Sequence, residues 1–526
     1  MHTVGIDVGS TNVKVALVGH EGEGLAAVSR PLQTVRQDRR AELDAAELWR
    51  TVVAALGDLA RASADAGLGG LGEVGAVGVC GQYSSIVAVD ADLEPVAPLR
   101  LYLDTRGTVH SRAVLAREPD ALDTWTERHP IPPVGGGLSL GHLLAFQHDE
   151  PDVHRRTHAY LEPVDFVTAR LTGVVSATQA SMFAAQLVDN RRLGQTRYDP
   201  DLVRLAGVDP TRLPPLVAPG AAVGTVRADV AAATTLPTDA VVVSGITDSH
   251  AFALATGAAV PGRIGVVIGT TAVLLATTPR FGPDPDSDVL AMPGVEPGEY
   301  LVWAENGLAG RVVEQILAAF VHGSDALGDH RADDVFQGFD AALLASPPGA
   351  AGVRFLPWFG GAMAPVADPS MRGGFLGVSL DTRRVDLVRA VAEGVAHNIR
   401  WLLGPVAARA GHPATEVVLA GGAARSPAWA QIVADVVGLP LRVLADPDHA
   451  GSRAVAAWAA RRVTGGPHGD QPVDQPGPGS RWGERHDPDP GSIAVHHVAH
   501  QEFTAAFDAL RPLRLGRRRP PGLSPS

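Results

Sequence analysis

The sequence contains a single cysteine, Cys80, in 526 residues. No intramolecular disulfide can form, and a reducing, cytoplasmic setting is the natural reading. Cys80 lies in the apolar run Val77-Gly78-Val79-Cys80, which reads as core packing rather than a reactive thiol. Aromatic residues are sparse at 5%. No uninterrupted apolar run reaches the ~20 residues that a membrane span needs. The opening Met1-His2-Thr3-Val4-Gly5-Ile6-Asp7 lacks the basic region and apolar core of a secretory signal. Positive charge is also in deficit, with a formal net charge of -13 and a pI near 5.8. This argues against nucleic acid or an anionic membrane as partner, because both favour a basic surface. A small anionic ligand stays compatible, since a few local donors can hold a phosphate inside an acidic protein.

What is present is ordinary for a folded chain: 45% hydrophobic and 19% charged residues. The length points to two or more domains. Thr3 to Val8 reads as a buried strand, Gly9-Ser10-Thr11-Asn12 as its turn, and Val13 to Val18 as the returning strand. A helix is expected over about Ala45 to Ala66, with Leu48, Val52, Val53, Leu56 and Leu59 at helical spacing. Val74 to Val79 and Ser85 to Val89 read as further strands. The opening pattern recurs at Arg263 to Ile268, Gly269-Thr270-Thr271 and Ala272 to Thr277. The fold class is therefore α/β, built from two related units whose turns face one cleft, with the boundary near residues 255–262. The expected domains are 1–258, 259–462, and a segment 463–526. Within that segment Gly465 to Gly491 reads as a mobile insert, because it lacks core-forming residues. A final helix over about Ile493 to Leu513 is expected to dock on the second unit, with a frayed end after it.

Four segments carry chemistry. In Asp7-Val8-Gly9-Ser10-Thr11-Asn12-Val13-Lys14, a carboxylate ends a strand before a Gly-Ser-Thr turn. Such a turn offers N–H groups and hydroxyls to phosphate, and the carboxylate offers oxygen to magnesium; a plain β-hairpin is the alternative. Gly269-Thr270-Thr271 is the matching turn of the second unit. In Glu416 to Ser426 an apolar strand meets Gly421-Gly422 before the helical Trp429 to Asp435. That allows either close approach to a flat ligand or a tight strand-to-helix connection. In Val241 to His250, Asp248 follows a buried strand and opens a helix, as a helix cap or as a general base facing the cleft. His250 reads as local packing.

Together these segments resemble the FGGY carbohydrate kinases, a family that includes xylulose, gluconate, glycerol and ribulose kinases. The resemblance runs over about residues 3 to 462. Further elements are Gly81-Gln82, Asp104-Thr105-Arg106, Leu161-Glu162-Pro163, Phe355-Leu356-Pro357, Arg372-Gly373-Gly374-Phe375-Leu376-Gly377 and Glu393-Gly394. It implies two ribonuclease-H-like domains of the actin and hexokinase type, the first binding sugar and the second nucleotide across a cleft. It further implies ATP and Mg2+, with Asp248 as the base and Asp7 organising the metal. Thr11, Asn12, Lys14, Gly269 and Thr270 would surround the phosphates, and Gly421, Gly422 and Gln431 would border the adenosine. Gln82, Tyr83, Ser84 and Asp104 would contact the sugar or polyol.

Departures from the family pattern leave the acceptor open. Tyr83-Ser84 stands where xylulose kinases usually carry Met-His, and Ser84-Ser85 where glycerol kinases place Arg-Glu. Arg106 either joins the site or pairs locally with Asp104. Arg453 stands in a place the family usually keeps small, implying altered packing or an altered nucleotide edge. The expected activity is ATP-dependent phosphorylation of a pentulose such as xylulose, or of a related polyol. A sugar-responsive binding protein that keeps the fold is the alternative. Homodimers are common in such a family, although no residue here demands one.

Overall fold

The structure is a computed structural model that describes residues 1–282, 287–326, 328–465 and 475–513. Two seven-stranded mixed sheets form the frame. The first is built from β1 (His2–Val8), β2 (Asn12–Val18), β3 (Gly24–Pro31), β4 (Val74–Gly81), β5 (Ala222–Thr225) and β6 (Val241–Val243), in the order β5-β6-β4-β1-β2-β3, with Ile246–Thr247 also pairing to β4. The second comprises β7 (Arg263–Ile268), β8 (Thr271–Thr278), β9 (Leu290–Pro293), β10 (Tyr300–Leu308), β11 (Glu416–Ala420), β12 (Leu441–Leu444) and β13 (Trp482–His486), in the order β9-β10-β8-β7-β11-β12-β13.

The pairing repeats between the halves. The strand β1 runs antiparallel to β2 and parallel to β4, as β7 runs antiparallel to β8 and parallel to β11. Gly9–Thr11 and Gly269–Thr270 occupy the same hairpin position in the two sheets, so the duplication read from the sequence is present in the fold. Helices cover both faces of such sheets, which is why β1 and β7 read as nearly continuous apolar runs. In the first half α1 (Ala45–Asp65) is capped by Asp44, which accepts from Ala46 N and Glu47 N, and it buries Leu48, Val52, Leu56 and Leu59.

Two further helices link the halves. The helix α2 (Asp248–Thr256) leaves the first sheet and packs on β7, β8 and β11 of the second. After α3 (Arg384–Ala410) and α4 (Pro427–Val437), the chain returns through α5 (Ala450–Thr464), which lies on β1, β2 and β4 of the first sheet and against α2. That return needs glycine. A Cβ on Gly5 would fall 1.7 Å from Ser452 O, and one on its register partner Gly78 would fall 2.5 Å from Val455 O.

The terminal segment differs in part from its sequence reading. Within the expected insert, Trp482–His486 forms the edge strand β13, antiparallel to β12, with Trp482 under the Arg263 and Arg442 guanidinium groups. Backbone bonds add to this anchor: Gly477 N–H donates to Ala255 O, and Arg481 O accepts from Ala445 N. Residues 466–474 and 514–526 lie outside the described residues. The last helix, α6 (Pro490–Leu510), packs on α3 and α4 and buries His496, Phe503 and Phe507.

Candidate active site

A cavity of about 590 Å³ opens between the two sheets and is lined from both halves of the chain. The β1–β2 turn forms one side of it. Gly9 N–H donates to Asn12 O at 2.9 Å, and Asp7 and Lys14 are register partners across the hairpin. The carboxyl of Asp7 is buried, which raises its pKa; the Lys14 ammonium and the Cys80 thiol pull it back down. Lys14 is the only lysine in the sequence. Thr11, Asn12 and Lys14 all line the cavity.

Asp248 is the first residue of α2 and lines the same cavity. The helix cap is its neighbour Thr247, whose hydroxyl accepts from His250 N at 3.4 Å and meets His250 Nδ1 at 2.7 Å. Asp248 Oδ1 takes only the N–H and hydroxyl of Ser249, at 2.7 and 3.4 Å. Thr247 thus supplies the cap, while Asp248 meets one further N–H of the first turn and, among the described residues, leaves its second oxygen unbonded. Burial, with the Asp7 charge added, pushes its pKa up to about 7. His250 is a packing residue, with Nε2 on Pro293 O at 2.9 Å.

On the second half, Gly269 and Gly422 line both this cavity and a neighbouring one of about 630 Å³, so the two spaces adjoin at these glycines. Thr270 lines the neighbour as well. A Cβ on Gly269 would enter open space, whereas one on Gly421, whose φ is +82°, would meet Ile268 O at 2.6 Å. Glycine at 421 thus lets β11 turn tightly beside β7. The larger space is walled by Phe336, Phe339 and Trp429, with Asp340 held by the Ser426 hydroxyl.

Gln82, Tyr83 and Ser84 close the other end of the first cavity. Ser84 sits at φ +60°, a left-handed backbone that the buried Glu162 supports by accepting from Ser85 N at 3.1 Å. Asp104 is not part of this wall. It is fully buried, with its oxygens taken by Ala41 N, Arg106 N and the Arg106 guanidinium at 2.7–3.1 Å. Arg106 is thus a local partner, which disposes of Asp104 as a free acceptor. Gln431 also stands apart, because its amide donates to Asp435 Oδ1 and Asp487 O on the far side of α4. Arg453 reaches Ala445 O, Asp446 O and the Asp446 carboxylate, clamping the loop before α5 rather than edging the cavity.

Two family models match the chain: the N-terminal domain of the FGGY family of carbohydrate kinases over residues 2–255, and its C-terminal domain over residues 265–462. The chain belongs to the FGGY family of carbohydrate kinases. It is accordingly a sugar kinase with the two-domain fold of that family, as the sequence resemblance implied. A xylulose kinase of Klebsiella pneumoniae is 26% identical over 516 residues, covering 97% of this chain and 99% of that one. The solved xylulose kinase of Rhodospirillum rubrum superposes with a TM-score of 0.79 at 26% identity, covering 98% and 100%. A gluconate kinase of Lactobacillus acidophilus superposes as well, with a TM-score of 0.80 at 18% identity, covering 97% and 98%, which speaks to the fold alone.

Further residues line these spaces without having been singled out by the sequence: Trp303 and Glu305 on β10 line the first cavity, and Phe336, Phe339, Asp340 and Trp429 line the larger one. Alternation along β10 puts residues 303 and 305 on one face, but only the pairing of β10 with β8 turns that face toward the cleft. The donor set also suits a nucleotide with a divalent cation. Among the described residues, no group of three or more His, Cys, Asp or Glu is placed to hold a metal alone. Isolated carboxylates such as Asp7, beside the turns, instead suit a cation that keeps water and nucleotide oxygens as its other ligands.

Proposed function

We propose that this kinase transfers the γ-phosphoryl group of ATP to a hydroxyl of a pentulose such as xylulose, or of a related polyol. The observation that carries the reading is the place of Asp248: Thr247 caps the helix, and the Asp248 carboxyl, bonded only to Ser249 among the described residues, lines a cavity walled by phosphate-type turns from both halves. In this reading Asp248 accepts the proton of the attacking hydroxyl, and a pKa near 7 is close to the value at which a base works best at neutral pH. Thr11, Asn12, Lys14, Gly269 and Thr270 hold the phosphates in line, while Gly421, Gly422 and the aromatic walls of the larger space hold the adenosine. Asp7 would hold Mg2+, which when bound neutralises the charge of the transferred group. The xylulose kinases among the relatives support a five-carbon acceptor, and the cleft supports a small one.

The test is an ADP-release assay with Mg2+ and ATP over a panel of ketopentoses, pentitols, tetritols and glycerol. A five- or four-carbon acceptor should give the highest kcat/KM. Glycerol as the clear best substrate, or ADP release indifferent to every acceptor, would contradict the reading.

A further inference from the structure

The acceptor end of the cavity holds polar groups that the protein itself leaves unmet. Both amide atoms of Gln82 and the indole nitrogen of Trp303 are buried without a hydrogen-bond partner. The Tyr83 and Trp303 rings meet edge to face, 6.3 Å apart, beside them. Glu305 stands two residues from Trp303 on the same face of β10, opposite Val273 of β8. Among the described residues no hydrogen-bond donor or cation meets its carboxyl; burial raises its pKa to about 6, and Asp248 is a like-charged neighbour. Near neutral pH it is therefore mainly an anion facing the cavity. Asp7, Asp248 and Asp448 line the same space, against one cation, Lys14, which sits beside Asp7.

Resting on the kinase reading above, we propose that Glu305 determines acceptor specificity: it accepts a hydrogen bond from an acceptor hydroxyl other than the one phosphorylated, and so admits neutral polyhydroxy compounds and rejects sugar acids. A buried carboxylate without a protein donor is costly until a ligand supplies one, so a hydroxyl there gains the bond that the site lacks. A ligand carboxylate there meets like charge with no basic residue to balance it, so rejection rests on repulsion as well as on fit. Gln82 and Trp303 supply the complementary donors for the acceptor's remaining oxygens.

Calorimetric binding without nucleotide, and ADP-release kinetics, on xylulose, xylitol and xylonate test this with two substitutions. Glu305→Leu removes the acceptor oxygen and should raise KM for the best neutral compound about 10-fold or more, with the loss in KM rather than kcat. Glu305→Gln keeps an acceptor oxygen but removes the charge. It should narrow the preference for xylitol over xylonate by about 10-fold. Unchanged KM in the leucine variant, unchanged rejection of xylonate in the glutamine variant, or wild-type binding of xylonate as tight as of xylitol would each overturn the proposal. If the leucine variant does not fold, the glutamine variant decides. Wild-type binding of neutral acceptors without turnover would instead count against the kinase chemistry, and the calorimetry would still test Glu305.

Discussion

Lys14 stands alone among forty-four basic residues as the only ε-amine of the chain, and it faces the cavity from β2. An acylating reagent therefore has one side-chain target, besides the terminal amine. If Lys14 contacts phosphate, ATP with Mg2+ should slow its acylation several-fold, read by mass spectrometry, whereas xylulose alone should not. Equal labelling with and without nucleotide would remove Lys14 from the phosphate site. Thr247 offers a second test at this scale. As the cap of α2 it should cost about 1 kcal/mol of stability when replaced by alanine, measured by chemical denaturation. The sequence revealed Asp7, Lys14 and Asp248 through their places in short strand-turn motifs. Glu305 and Trp303 had no motif to announce them, because a strand's exposed face takes its meaning from the sheet it joins. The family resemblance points to Asp104, within Asp104-Thr105-Arg106, as a sugar contact and to Gln431 as a neighbour of the adenosine. Their side chains turn inward to Arg106 and Asp435 instead, and chain position says nothing of such a turn.

Among the elements, α5 and α6 each depend on a particular contact. The sheet surface under α5 is smooth only because Gly5 and Gly78 pair side by side, so Gly5→Ala should push the Ser452 carbonyl aside and cost on the order of 3 kcal/mol. Reduced soluble yield and a lower Tm would show it, and a wild-type Tm would contradict the close approach. The docking of α6 is pH-sensitive in a definite direction. His397 of α3 stacks with His500 and meets His496 edge-on, at 5.6 and 5.5 Å between ring centres. Burial holds His397 well below the usual histidine range and lowers His496 and His500 to about 4, with Arg354, Arg389 and Arg400 adding to the effect. Among the described residues the carboxylate that faces them is Glu393, 3.9 Å from His496 and engaged by Arg389. These imidazoles stay neutral in the fold and take protons when unfolded below about pH 6.5. The stability they contribute is thus full above that pH and is lost as pH falls toward 4. Tm should drop between pH 7 and pH 5, and His397→Phe should flatten that drop. A helix was legible near residues 493–513, but its histidine face was not, because the pattern alone cannot distinguish a buried imidazole from an exposed one.

At the scale of the whole molecule, each half lends a helix to the other. The catalytic candidate Asp248 begins α2, which packs on the second sheet, while Asp7 lies next to the end of β1, the strand that α5 of the second half covers. A rotation of one half against the other would change the distance between Asp7 and the turns at Gly269 and Gly421, and such closure is how a kinase excludes water from the phosphoryl group. The internal duplication was visible in the repeated strand-turn-strand pattern, and the fold class followed from it. The crossing of α2 and α5 was not, since nothing in a helix's own sequence says which sheet it will cover. The account depends most on Asp248, and one measurement tests it most directly: turnover, thermal stability and ATP binding of Asp248→Asn on a single preparation. A base at that position contributes about 10²–10⁴-fold, so kcat should fall by that much or more while Tm and ATP affinity stay near wild type. An asparagine variant that is both stable and fully active would contradict the assignment of Asp248 to the proton transfer.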